Sequence, residues 1–163
     1  NNRLGADSFV PGLTQLYVFE DGRTNANPPL TGLTMEGTAL DDVATFKVAP
    51  CTEVVEEGGC KPKERACTKY KLSAVIGDVA EADVESRDAN GDPLREVVWV
   101  DYYADGGEIL SDRALVSDAA QGYQSEHDVE WIAPATPGTV RIWAVSHDNR
   151  GGMDVTSATV TVE

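Results

Sequence analysis

The chain has 163 residues and carries 13 lysines and arginines against 28 aspartates and glutamates, a net charge of −15. A chain of that length can bury roughly 70% of its unfolded surface, so a core is feasible without metals or disulfides. The charge argues against nucleic acid and anionic membranes, which would repel it, and no run of about 20 apolar residues is present to span a bilayer as a helix.

Residues 1–12 are polar, with Gly5, Pro11 and Gly12. Residues 13–20, Leu-Thr-Gln-Leu-Tyr-Val-Phe-Glu, form a strand candidate that is apolar on both faces around Tyr17 to Phe19, the pattern of a covered strand. Asp21-Gly22 breaks it. Residues 23–29 form a linker whose Pro28-Pro29 favours extended backbone. Leu30 to Met35 is a short strand, Glu36-Gly37 a turn and Val43 to Val48 a second strand.

Cys51, Cys60 and Cys67 follow in a glycine- and proline-bearing loop. Clustered cysteines of this kind indicate a disulfide staple and an oxidising compartment. Three cysteines allow three pairings and leave one thiol over; the sequence does not choose. Zinc is disfavoured, because His127 and His147 are remote and no Cys-x-x-Cys pair exists.

Tyr70 to Ile76 is a strand with Tyr70, Leu72, Ala74 and Ile76 on one face. Residues 79–86 alternate Ala82 and Val84 with Glu81, Asp83 and Glu85 and extend that edge. With Glu53, Glu56 and Glu57 these acids make either a binding patch or a solvated, protected edge. Residues 88–93 form a loop, 94–103 the most strand-like run, and Gly106-Gly107 a stop. Residues 108–126 are ambiguous between a weak strand and a helical turn. Val129 to Ile132 is a short strand.

Pro137-Gly138 then opens a hairpin. Val140, Ile142 and Ala144 alternate with Arg141, Trp143 and Val145; His147 to Gly152 turn the chain; Ala158, Val160 and Val162 alternate with Ser157, Thr159 and Thr161. Period-2 alternation of β-branched residues is the mark of a half-buried strand. Eight or nine short strands separated by Gly, Pro and Asp turns indicate an all-β sandwich or barrel. If Val140, Ile142 and Ala144 face the core, Trp143 faces outward, where it either stacks on a sugar, anchors a protein partner, or lies beneath residues 1–20.

The order Asn27-Pro-Pro, Asp88-Ala-Asn-Gly-Asp-Pro-Leu94, Trp99, Pro137-Gly-Thr-Val-Arg-Ile-Trp-Ala-Val, Asp148-Asn-Arg-Gly151 and a final Thr-Val-Thr-Val resembles immunoglobulin-like modules of the polycystic-kidney-disease and cadherin-like type, common in bacterial surface and secreted proteins. The resemblance covers residues 27–163 and implies an immunoglobulin-like antiparallel β-sandwich. Residues 1–26 are then an N-terminal extension carrying one extra strand and a linker, and 37–70 and 104–126 are insertions. Trp99 departs from the family spacing: it falls five residues after Leu94 instead of four, on the opposite face of a regular strand, so a bulge or Val98 must supply the core position.

The resemblance also implies calcium at one pole, held by Asn27, Asp88, Asn90, Asp92 and Asp148. Read from the residues alone, Asp88-x-Asn90-x-Asp92 suits either a Ca²⁺ loop or an Asx-turn that bonds its own backbone. It is no EF-hand: Pro93 stands where glycine is needed and Trp99 where glutamate is. Catalysis is not expected. Ser125, His127 and Asp128 are neighbours in sequence, which along a strand does not make them converge.

The expected function is a non-catalytic extracellular module, with an export signal already removed ahead of Asn1. It acts as a spacer or a subunit of a bacterial surface assembly or fibre, joined to neighbouring copies through Leu16, Tyr17, Val18 and Phe19 by strand addition. Alternatives are an adhesion module that binds polysaccharide or protein through exposed aromatics such as Trp143 or Tyr103 with nearby carboxylates, and an enzyme accessory domain.

Overall fold

A computed structural model describes residues 24–52 and 67–163, with Val18 and Gly22 besides. Among the described residues there are thirteen strands and no helix, so no helix is long and apolar enough to cross a membrane. The chain is all-β. The strands are β1 (Leu33–Met35), β2 (Thr38–Ala39), β3 (Phe46–Val48), β4 (Lys69–Ala74), β5 (Ala82–Arg87), β6 (Pro93–Arg95), β7 (Val98–Ala104), β8 (Glu108–Ile109), β9 (Arg113–Asp118), β10 (Gly122–Tyr123), β11 (Val129–Ile132), β12 (Gly138–Asp148) and β13 (Met153–Val162).

They form a five-stranded sheet in the order β2-β1-β4-β11-β8, a six-stranded sheet in the order β10-β9-β7-β12-β13-β3, and a separate β5–β6 hairpin. Neighbours are antiparallel except β3, which runs parallel to β13. The chain therefore changes sheets between β1 and β3.

One core lies between the two large sheets. Leu33, Met35, Leu72, Val129 and Trp131 enter it from the five-stranded sheet; Val100, Tyr102, Val116, Ile142 and Val160 enter it from the other. Alternation dictates this, because every second side chain of a strand points the same way. Two polar groups in the core have partners. The Trp131 Nε1–H donates to the Gly106 carbonyl at 3.0 Å. The Tyr102 hydroxyl accepts from the Ala74 N–H at 2.9 Å and donates to the His127 carbonyl at 3.2 Å. Burial pushes the Tyr102 pKa up to about 12. Gly107 (φ +81) has no substitute, since a Cβ there would strike the Ile132 carbonyl and the Trp131 ring.

Several sequence expectations change. The run 94–103 is two strands in different sheets, because Glu96 and Val97 leave the ladder between them. Residues 79–86 do not extend the β4 edge; from Ala82 they belong to β5, which pairs with β6. Residues 108–126 contain no helical turn; β9 is a full member of the six-stranded sheet, paired with β7 from Val98 to Asp101. Val98 takes the core position and Trp99 points out, with a register shift between them in the pairing to β9.

A disulfide joins Cys51 to Cys67 across a sequence separation of 16. Closing a loop of that length is worth about 3 kcal/mol in chain entropy. Cys60 lies outside the described residues.

Candidate functional site

The pole at the β12–β13 turn is built around Asp148. This side chain is buried, and its Oδ1 accepts the N–H groups of Arg150 (2.8 Å) and Gly152 (2.7 Å). Its Oδ2 accepts from the Asn25 side-chain amide at 2.8 Å. A Cβ on Gly152 would collide with that same oxygen. The segment ahead of β1 is fastened here residue by residue. The Met153 N–H donates to Asn27 Oδ1 at 3.3 Å, the Ser146 hydroxyl donates to the Pro28 carbonyl at 2.5 Å, and the Leu30 N–H donates to Asp154 Oδ2 at 2.9 Å.

Beside Asp148, the Arg150 guanidinium stands 2.9 Å from buried Glu96 and 3.5 Å from Glu81. Burial is the main reason the Glu96 carboxyl is pushed above the ordinary range. Asp148 and Glu81 add to that, while the Glu81 N–H and Arg150 oppose it.

Asp88, Asn90 and Asp92 lie at the tip of the β5–β6 hairpin, whose other end carries Glu81 and Glu96. Asp88 Oδ1 accepts the backbone N–H groups of Asn90 (2.8 Å) and Asp92 (2.9 Å), and Oδ2 accepts from the Asn90 amide at 3.3 Å. These bonds, the Asp92 N–H first, hold the Asp88 carboxyl below its usual range. Asn27 and Asp148 both lie at the β12–β13 turn without a bond between them, and the hairpin tip holds the other three. Among the described residues, no group of three His, Cys, Asp or Glu side chains gathers as a metal site.

The sequence neighbours Ser125, His127 and Asp128 do not assemble into a nucleophile. His127 directs Nδ1 to the Gln124 carbonyl (2.9 Å) and Nε2 to the Ala74 carbonyl (3.2 Å), while Asp128 meets Lys71 at 3.0 Å. Of the acidic run, Glu81 faces Arg150. Glu53, Glu56, Glu57 and the Glu85 side chain lie outside the description.

Among the described residues, the outer face of the six-stranded sheet carries several exposed apolar side chains. Val140, Ile142 and Ala144 are buried and Trp143 is half-exposed on the opposite side, as the alternation requires. Trp143 sits between Tyr103 on β7 and Ser157 on β13. Tyr103 is 54% exposed, Leu115 42%, Met153 52% and Val155 58%.

Among these apolar groups lies a charged centre. Asp101 receives Arg113 through Nε (2.5 Å) and Nη2 (3.0 Å), and His147 Nε2 is 3.4 Å away. Trp99 stacks on His147 at 5.4 Å, and the Arg113 guanidinium lies 5.7 Å from the Trp99 ring centroid. The sequence singled out Trp143 and Tyr103 and missed Asp101, Arg113 and Leu115. The first of these was legible, since Trp99, Asp101 and Tyr103 share a parity. The other two were hidden because the consecutive apolar residues Ala114, Leu115 and Val116 mask the alternation of β9.

Of the proposed partner-binding strand, Leu16, Tyr17 and Phe19 lie outside the described residues. Val18 is described and is 89% exposed. No protein-family model, curated protein or solved structure matches the chain.

Proposed function

We propose that the chain is a non-catalytic, immunoglobulin-like module of an extracellular surface protein, serving as a stiff spacer. The observation that carries this reading is the placement of the two ends of the fold. Asn25 and Asn27 are bonded at the β12–β13 turn, beside Met153. Glu163 follows β13, with its N–H on the Val48 carbonyl and its carboxylate 2.7 Å from Lys47. Nine residue steps from Met153 to Val162, at about 3.3 Å each, separate these points by roughly 30 Å. Whatever precedes residue 24 and whatever is joined at residue 163 are thus carried at opposite poles, each fixed to the body. The Cys51–Cys67 bond supports an oxidising location. Arg150 supplies a cation at this joint, 2.9 Å from Glu96.

Stretching a single molecule through residue 24 and residue 163 tests the spacer. The expected result is no extension before the sandwich itself yields, since β13 is loaded in shear against β12. An early low-force step of roughly 3 nm, the length of residues 24–32 coming free, would overturn it.

A second element, assembly through the N-terminal strand, is favoured by the bare Val18 side chain. In this reading Leu16–Phe19 pairs with a neighbouring copy. Sedimentation is expected to show self-association that disappears on deletion of residues 1–20. A full-length chain that stays monomeric, or assembly that survives the deletion, removes the idea.

A further inference from the structure

The outer face of the six-stranded sheet is made by four adjacent strands, β9, β7, β12 and β13. Small molecules are held in concave pockets; an open sheet face suits an extended ligand that lies along it. At its centre Tyr103 and Trp143 are direct cross-strand neighbours; Asp101 is one alternation from Tyr103 along β7, Arg113 faces Asp101 from β9, and His147 is two alternations from Trp143 along β12. A partner matched to this face offers apolar area to the two rings and hydroxyl or amide groups to the polar cluster.

Charge decides the class of partner. The whole chain is at −15, so acidic polymers are repelled. Basic partners are drawn to the acidic remainder of the surface and away from this face. Of the strand residues that point outward here, the charged ones are Asp101, Arg113 and Arg141, one acid against two bases. An uncharged polymer suffers no penalty from the net field.

We propose that this face binds a neutral polysaccharide, lying across Tyr103 and Trp143 and hydrogen-bonded by Arg113 and Asp101. A pyranose ring presents weakly positive C–H bonds on its flat sides, which fit the negative face of an aromatic ring. Its hydroxyls both donate and accept, so they serve a carboxylate and a guanidinium side by side. Binding at this face is independent of the spacer reading, because Tyr103, Trp143, Asp101 and Arg113 take no part in fixing either pole.

The test is retardation of the purified full chain in native gels containing neutral glucans, mannans or galactans, with acidic polysaccharides run in parallel. Retardation by at least one neutral polymer is expected, with roughly tenfold weaker binding for Tyr103→Ala and for Trp143→Ala. Tyr103→Ala removes a half-exposed ring, so its melting temperature is expected to stay near the parent value. Trp143→Phe keeps the apolar cover and separates loss of stacking from loss of fold. Three outcomes overturn the proposal: no retardation by any neutral polymer, retardation that survives both alanine substitutions, or equal retardation by acidic polymers. A dimer that Tyr103→Ala dissociates also overturns it, since the face would then belong to a second copy. None of these results bears on the stretching experiment.

Discussion

At the scale of single residues, carboxylates do most of the positioning, and they do it in two opposite ways. Asp88 is exposed and collects backbone N–H groups, so the chain favours its charged form. Glu96 is buried, so the chain disfavours its charged form despite Arg150. The consequences for pH have opposite signs. A carboxyl raised above its ordinary value of 4.5 contributes stability that is whole below that value and is lost as pH climbs through the folded value. Each unit of elevation is worth about 1.4 kcal/mol. Asp88 contributes above its ordinary 3.8 and loses that contribution as pH falls through its lowered folded value. Thermal melting of the parent chain is therefore expected to decline just above pH 4.5 relative to Glu96→Gln, whose baseline is offset by the weakened Arg150 contact but whose slope in that window is flatter. Parallel slopes for the two proteins would show that Glu96 titrates normally.

Among the elements, what was legible in the sequence follows from how a strand is covered. β12 alternates cleanly because one face meets the core and the other meets solvent, and the sequence shows it from Val140 to Val145. β11 and β13 break the pattern where Ile132 and Thr159 are buried too, and the start of β13 at Met153 was not legible. β7 was readable as a strand, but its start was not. Leu94, Arg95, Glu96 and Val97 look like its continuation, yet the Glu96 N–H bonds the Glu81 carbonyl and the Asn149 N–H bonds the Val97 carbonyl. Those two bonds turn the chain between sheets, and both partners are far away in sequence. β9 was unreadable for a different reason. Ala114 and Val116 point inward while Leu115 points out beside Trp99, so no alternation survives. The joint at the β12–β13 turn was half legible. Asp148 and Asn27 stood out only through the family resemblance, as cation ligands; both lie at this turn, Asp148 bonded to Asn25 and Asn27 to the Met153 N–H. Asn25, Arg150 and Glu96 complete the joint through contacts that no local pattern encodes. Parity along β12 located Trp143 correctly, whereas the charged centre beside it needed the pairing of β7 with β9 to be known.

For the molecule as a whole, the governing quantity is the imbalance of 28 acids against 13 bases. Local pairing relieves part of it. Arg113 is held by Asp101, Arg95 by Asp78, and Arg150 by Glu96 and Glu81. These pairs use several of the few cations and leave acids such as Asp88 and Asp118 to the backbone N–H groups of their own turns. The surplus negative charge therefore acts against compactness, since like charges are closer together in the folded chain than in the unfolded one. Salt screens that repulsion, with a Debye length falling from about 30 Å at 0.01 M to about 8 Å at 0.15 M. The first length spans the roughly 30 Å between the poles, and the second does not. Raising ionic strength across this range is expected to stabilise the chain, even though exposed pairs such as Lys47–Glu163 weaken at the same time, because isolated surface pairs contribute about 1 kcal/mol or less. Each kcal/mol relieved shifts the melting temperature by about 2–4 °C at this size. Calorimetry in sodium chloride, at constant pH and with a chelator present, is expected to show a rise that flattens above 0.15 M. A melting temperature that falls with salt would mean that the ion pairs, and not the net charge, dominate the electrostatics of the fold.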